Sequence, residues 1–337
     1  MQKHKIPTGW LFVDEYSRGP LETLSIGDYG KRHNVKADFL GYTKEIWGVP
    51  NIAPMPLSEK WVVTLSTQYG CPMKCKFCDV PNVEFRGNVS DDDLWAQLLS
   101  AITLFPEVSY TERLNIHFAR MGEPLFNGDV FAFTEWMYRY GKLALQDHGL
   151  RCEVVHPVLS TMLPRTLGKC RERVLEWCDI KNKVYNGQAG LQFSINSTSE
   201  EQRNDMFWFR QLSLGAISEI GRDMPMPLGR KYCLNFAYAT GNEVDAAKLK
   251  RLFNPEKFMV KITPIHNNNA CRKNGIETVD GYESWWPYRD IEADLVAAGF
   301  DVLVFVPSMD EEDGLVTCGN AVLGGGILKT DTVTENA

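Results

Sequence analysis

The 337-residue chain contains no run of eighteen apolar residues, so no segment is long enough to cross a membrane as a helix. Behind Lys3, His4 and Lys5 there is no apolar stretch of the kind a secretory leader carries, and the expected location is the cytoplasm. Internal repeats and low-complexity tracts are lacking, and the composition excludes collagen-like, coiled-coil and disordered classes. Cysteine is scarce: nine residues, an odd number, are too few to staple so long a chain with disulfides, yet three of them fall within eight positions. An excess of positive charge is missing too. The net charge of -7 speaks on its face against a broad surface for a phosphate backbone, but the acidity is local, because residues 301–337 hold seven acidic side chains and one basic one. What remains is ordinary for a globular chain, 44% hydrophobic and 23% charged, enough for a full core.

Residues 1–60 read as a small β-rich extension, with strand-like stretches Trp10–Val13 and Leu21–Ile26, ending in a Pro-rich linker from Val49 to Pro56. From there to residue 306, β-like runs alternate with helical ones. The strands expected are Trp61–Ser66, Leu114–Phe118, Glu153–Ser160, Leu191–Ile195, Tyr232–Ala239, Phe258–Ile262 and Val302–Val306. Helical periodicity spans Asp91–Leu104, Val130–Leu145, Leu167–Cys178, Ser199–Leu214, Val244–Phe253 and Trp285–Ala298. This alternation predicts an α/β fold with a parallel sheet and right-handed crossovers, a barrel or partial barrel of six or seven units whose chemistry lies beyond the C-terminal strand ends. Residues 307–337 form a C-terminal segment that becomes Gly-rich from about Gly324 and is expected to end as a loose tail.

Directly after the first of these strands comes Cys71-Pro-Met-Lys-Cys75-Lys-Phe-Cys78. Three thiolates at spacings of four and three can converge on one metal centre from a single loop. A structural zinc wants four ligands, usually two separated pairs, and no second pair is present. Iron-sulfur clusters also usually take four cysteines, so three imply a distant fourth ligand or an iron left open for something else.

The triplet, with Phe77 before its last cysteine, resembles the signature of radical S-adenosylmethionine (SAM) enzymes. The resemblance implies a 4Fe-4S cluster held by Cys71, Cys75 and Cys78, with SAM on the fourth iron, and an electron donor of flavodoxin or ferredoxin type. It implies cleavage of SAM to a 5'-deoxyadenosyl radical, with the cofactor carrying the hard chemistry. Further along, Arg120-Met-Gly-Glu-Pro-Leu125 is similar to the Gly-Met-Gly-Glu-Pro-Leu motif of the Cys-methylated radical SAM methyltransferases that act on adenine carbon-2 or carbon-8 of RNA. In that resemblance Gly122 and Glu123 meet the methionine end of SAM. Phe85-Arg86, Leu159-Ser160-Thr161, Phe193-Ser194-Ile195-Asn196 and Ile262-Thr-Pro264-Ile-His266 match further family segments in order, so Ser160, Ser194, Asn196 and His266 are expected to touch the cofactor. Near the C-terminus, Asp310-Glu311-Glu312-Asp313 precedes Thr317-Cys318-Gly319-Asn320, as an acidic run precedes the family's methyl-carrier cysteine. The implied fold is a partial (βα)6 radical SAM barrel over 61–306, and the implied activity relays a methyl group through Cys318 to an sp2 carbon of an adenine in RNA or of a smaller heteroaromatic substrate.

The chain also departs from that family. The cysteine that releases the covalent adduct is replaced by Thr64, which cannot form a disulfide, and nothing in the spacing selects Cys152, Cys233 or Cys271 in its stead, while Cys170 and Cys178 read as the inner face of a helix. Cofactor-contacting His and Asn of the family stand here as Asn196 and His266. Two alternatives therefore stay open: a radical SAM enzyme with a non-methylating reaction, and a metal-binding regulatory module without activity.

Overall fold

A computed structural model describes residues 1–48, 53–279, 284–317 and 319–328, with the backbone of 335–336. The first strands, β1 (Gln2–Ile6), β2 (Gly9–Tyr16) and β3 (Gly19–Gly27), form an antiparallel meander, followed by the short α1 (Lys31–Asn34) and β4 (Val35–Lys36). β5 (Trp61–Leu65) opens the parallel region, and a small hairpin, β6 (Gln68–Tyr69) with β7 (Gly87–Asn88), brackets the cysteine loop. β8 (Tyr110–Phe118), β9 (Arg151–Thr161), β10 (Gly190–Ser194), β11 (Tyr232–Tyr238), β12 (Phe258–Pro264) and β13 (Val302–Phe305) then add in order, each parallel to the one before. β14 (Glu335–Asn336) pairs with β1.

The seven strands expected from the alternation are all present and parallel, one more than a six-unit barrel. The residues before them clasp both edges of the sheet: β3 pairs with β5 in antiparallel register, Leu24 opposite Thr64, and β4 pairs antiparallel with β13, Val35 opposite Phe305. Each edge that a parallel run leaves open is thereby covered.

Burial alternates along the strands. Leu114, Ile116 and Phe118 of β8, Leu234 and Phe236 of β11, and Val260 and Ile262 of β12 are fully buried in one core. The intervening side chains, Arg113, Asn115 and His117, then Cys233 and Asn235, then Met259 and Lys261, are largely polar and line the other, inward face, the lumen. Helices α2 (Asp91–Thr103), α3 (Gly128–Trp136), α4 (Lys142–Asp147), α5 (Cys170–Asp179), α6 (Glu200–Met206), α7 (Leu214–Asp223), α8 (Ala246–Leu252), α9 (Asn269–Lys273), α10 (Arg289–Ala297) and α11 (Met309–Asp313) complete the chain. α2 shows why they form where they do: Ser90 caps it by accepting from Asp93 N–H, three aspartates fill its first turn, and Leu94, Leu98 and Ala101 bury one stripe.

Two expectations change. The helix read over Ser199–Leu214 ends at Met206, because Trp208 and Phe209 take positive φ of 51° and 56°, and a new helix starts at Leu214 under a Ser213 cap. The Gly-rich stretch is docked where a loose tail was expected: Gly324 lies so close to the Asp79 carbonyl that a Cβ has no room, and its own carbonyl accepts from Asn82 Nδ2 at 2.8 Å.

Candidate functional site

The candidate residues gather at the C-terminal ends of the parallel strands, where a sheet of this kind presents chemistry. After β5 the chain enters the cysteine loop. Cys75 is buried, Cys71 and Cys78 are half-buried, and Lys74 takes a positive φ of 54° that turns the loop between its first two cysteines. Cys75 Sγ lies 2.9 Å from Met162 Sδ, and Met73, Cys75 and Phe77 pack with Phe207, Ile265 and Cys271 in a small apolar cluster of their own. Among the described residues no group of three His, Cys, Asp or Glu side chains is assembled as a metal site. The donor chemistry nevertheless fits a cluster: three sulfurs on one short loop, walled by apolar side chains that keep water out.

Gly122 holds the second motif against this loop. Its φ is +99°, and a Cβ there would stand 2.6 Å from the Gln68 Cβ, so only glycine allows the approach. Gln68 in turn accepts from Glu123 N–H at 2.8 Å and donates to Asn88 at 2.8 Å, tying the strand before the cysteines to the motif after β8. The Glu123 carboxylate is buried and accepts from Thr161 Oγ1 at 2.6 Å, Met162 N–H at 2.8 Å and Leu125 N–H at 3.1 Å. Burial raises its carboxyl to about 7, against those hydrogen bonds, which favour the charged form. An ammonium arriving beside it gains a buried charge partner.

Ser160 and Ser194 lie at the ends of β9 and β10 on the inward face, Ser160 beside Gln192 and Ser194 beside Asn235. Asn196 is buried at a positive φ of 63°. Its side chain is spent within the protein, accepting from Ala237 N–H at 3.0 Å and donating to Met206 Sδ at 3.5 Å. His266 is buried after β12 with its Nδ1 on Glu312, a residue of the acidic run.

That contact begins a strap. Cys318 itself lies outside the described residues, but the chain on both sides of it is fixed. Gly319 C=O accepts from Asp79 N–H at 2.8 Å, one residue past Cys78, and from Asn268 Nδ2 at 2.9 Å. Asn268 Nδ2 also reaches Phe77 C=O at 2.8 Å. Arg120 Nη1 donates to Leu315 C=O at 2.7 Å and its Nη2 pairs with Glu22, fully buried in β3; Glu22 accepts in turn from Leu323 N–H at 3.1 Å. One buried ion pair thus holds both ends of segment 315–323. Sequence reasoning missed Glu22, Arg120 and Asn268, since their partners lie 98, 195 and 191 positions away. Of the three thiols that spacing left undecided, Cys271 in α9 packs against the cysteine loop, and Cys170 and Cys178 are buried in α5 as expected. Burial raises all five thiols, Cys271 to about 12. Thr64 faces the lumen opposite His117.

No protein-family model matches the chain. Curated sequences do. A dual-specificity RNA methyltransferase RlmN of Geobacter sulfurreducens is 23% identical over 64% of this chain and 55% of its own length. One from Myxococcus xanthus is 26% identical over 71% of this chain and 60% of its own length. The probable enzyme of that name from Chlorobium chlorochromatii is 38% identical over 22% of this chain and 20% of its own length. The chain therefore spans at most 60% of the length of these relatives. A solved radical SAM methyltransferase from Sphaerobacter thermophilus shares the fold, with a TM-score of 0.59 at 18% identity over 92% of this chain and 76% of that one. By sequence this chain is similar to RNA methyltransferases named RlmN, and by fold to a radical SAM methyltransferase.

Proposed function

We propose that the protein is a radical SAM methyltransferase that relays a methyl group through Cys318 to an sp2 carbon of a heteroaromatic ring, adenine in RNA being the substrate its relatives suggest. The observation that carries this reading is the seating of the Cys318 segment on the cysteine loop through Gly319, Asp79 and Asn268. A 4Fe-4S cluster on Cys71, Cys75 and Cys78, when bound, would supply the electron that cleaves SAM to a 5'-deoxyadenosyl radical. Glu123 holds the positive ammonium end of SAM, and the apolar wall of Met73, Phe77, Phe207 and Ile265 excludes water from the radical's surroundings. Ser160 and Ser194 supply hydroxyls on the inward face above which the ring enters.

The test is mass spectrometry of anaerobically reconstituted protein after incubation with methyl-labelled SAM. Label on the peptide containing Cys318 is the expected result. Formation of deoxyadenosine with no label there sinks the relay and favours the non-methylating reading, which Thr64 at the adduct-releasing position supports. A chain that binds iron but forms no deoxyadenosine under reduction leaves only the regulatory module.

A further inference from the structure

The lower half of the lumen collects basic side chains. Arg113 and His117 of β8, His156 of β9 and Lys261 of β12 share the inward face, with Asn115 opposite His156 in register. Lys60 precedes the Trp61–Leu114 pair and so flanks Arg113. Arg230, two residues before β11, brings Nη1 to 3.2 Å from His156 Nε2. Among the described residues Lys60 pairs with Asp28, and no ion pair is formed by Arg113, Arg230 or Lys261. Arg113 Nε donates to Asn115 at 2.9 Å, and Lys261 Nζ lies 5.1 Å from the Phe305 ring. His156 is fully buried and its Nδ1 has no hydrogen-bond partner. Among the described residues Glu311 of α11 approaches Lys261, and burial pushes its carboxyl up to about 7.

Such an assembly is unfavourable as it stands. Burial and the surrounding cations push His117 down to about 3 and His156 to about 2, and burial with Arg113 and Arg230 lowers Lys60 to about 8. Unneutralised cations held against one another at exposed or half-buried positions cost free energy unless an anion joins them. His156 stands four residues below Ser160 on one strand, about 13 Å at roughly 3.3 Å per residue. A ligand with its anionic end on this floor and a flat ring at the strand ends has the reach of a nucleoside monophosphate.

We propose that the floor of the lumen, built from Arg113, His156, Arg230 and Lys261, binds the phosphate group of a phosphorylated small heteroaromatic substrate. The proposal rests on the reading of the strand ends as the reaction site and narrows its substrate class. The side chains suit it: Arg113 and Arg230 present forked N–H donors to phosphate oxygens, and Lys261 adds a point charge.

The test is equilibrium dialysis and thermal denaturation of the reconstituted protein with inorganic phosphate, adenosine 5'-monophosphate (AMP) or adenosine. Phosphate and AMP are expected to bind and raise Tm, adenosine far less. Arg230→Gln, at a solvent-exposed position, is expected to weaken AMP binding roughly tenfold by loss of charge-assisted hydrogen bonds, with Arg230→Lys partly restoring affinity. Equal binding of AMP and adenosine, or undiminished AMP affinity in Arg230→Gln, overturns the site. A 5'-phosphorylated RNA oligonucleotide that binds tightly where AMP binds poorly overturns the small-molecule assignment. Binding is read without turnover, so a chain that binds AMP but leaves Cys318 unlabelled upholds the anion site while sinking the relay.

Discussion

Two buried carboxyls set the pH behaviour of single residues. Glu123 and Glu311 are each raised from 4.5 to about 7 by burial. Between those values the folded chain keeps protons that the unfolded chain has released, so stability is greatest below pH 4.5 as far as these groups go and is lost as pH rises through about 7. The slope reaches about 1.4 kcal/mol per pH unit for each carboxyl at its steepest. Chemical denaturation across this range is expected to show the decline, and Glu123→Gln, though less stable overall for its lost Met162 contact, is expected to show a shallower one. An unaltered slope in both Glu123→Gln and Glu311→Gln contradicts the assignment. At the cysteine loop, Cys75→Ala removes the buried sulfur of the three, and iron content together with deoxyadenosine formation is expected to fall to background. Retained SAM cleavage in that variant refutes the cluster role of the loop.

Among the elements, the strap over 315–323 depends on Glu22 and Arg120. Both are buried and each also holds the strap's backbone, so removing one charge strands the other. Glu22→Gln is expected to cost about 3 kcal/mol or more in urea unfolding, while Glu22→Gln with Arg120→Met costs less than the sum of the two singles. Additivity in that double-mutant cycle shows that the pair does not act as a unit. The pair also explains a sequence oddity. Where the related motif begins with glycine, this chain has Arg120, whose guanidinium reaches a strand and a segment far away along the chain. The broken helix at 207–213 has a similar lesson: its apolar spacing continues through Trp208 and Phe209, but both are exposed beside the cysteine loop, where Lys76 Nζ lies 4.9 Å from the Trp208 ring.

For the whole molecule, the first 36 residues act as a clasp on the sheet. Removal of residues 1–30 takes away β3, leaves β5 with an unpaired edge, and opens Val62 and Leu315 to water by removing their apolar partners Leu24 and Ile26. That truncated chain is expected to form soluble aggregates or precipitate, read by size-exclusion chromatography with light scattering; a monodisperse species with an unchanged Tm rules out the clasp. The charge distribution also acts at this scale. The acidic run of the C-terminal segment brings Glu312 to His266 and Glu311 toward Lys261, so the local acidity seen along the chain is spent against interior bases and does not face solvent as a block.

The amino-acid sequence by itself determined the seven parallel strands, because each carries a strong apolar period between turn residues, and it singled out the cysteine loop and Gly122-Glu123 as candidates, because those residue types stand close together along the chain. Tertiary structure alone decided that the N-terminal strands join both sheet edges and that Glu22 and Arg120 hold the Cys318 segment. It also decided that Cys271 packs on the cysteine loop and that Arg113, His156, Arg230 and Lys261 converge on one floor. These are contacts between residues far apart along the chain, brought together by strand order and by which face each side chain takes, and neither composition nor local periodicity encodes them.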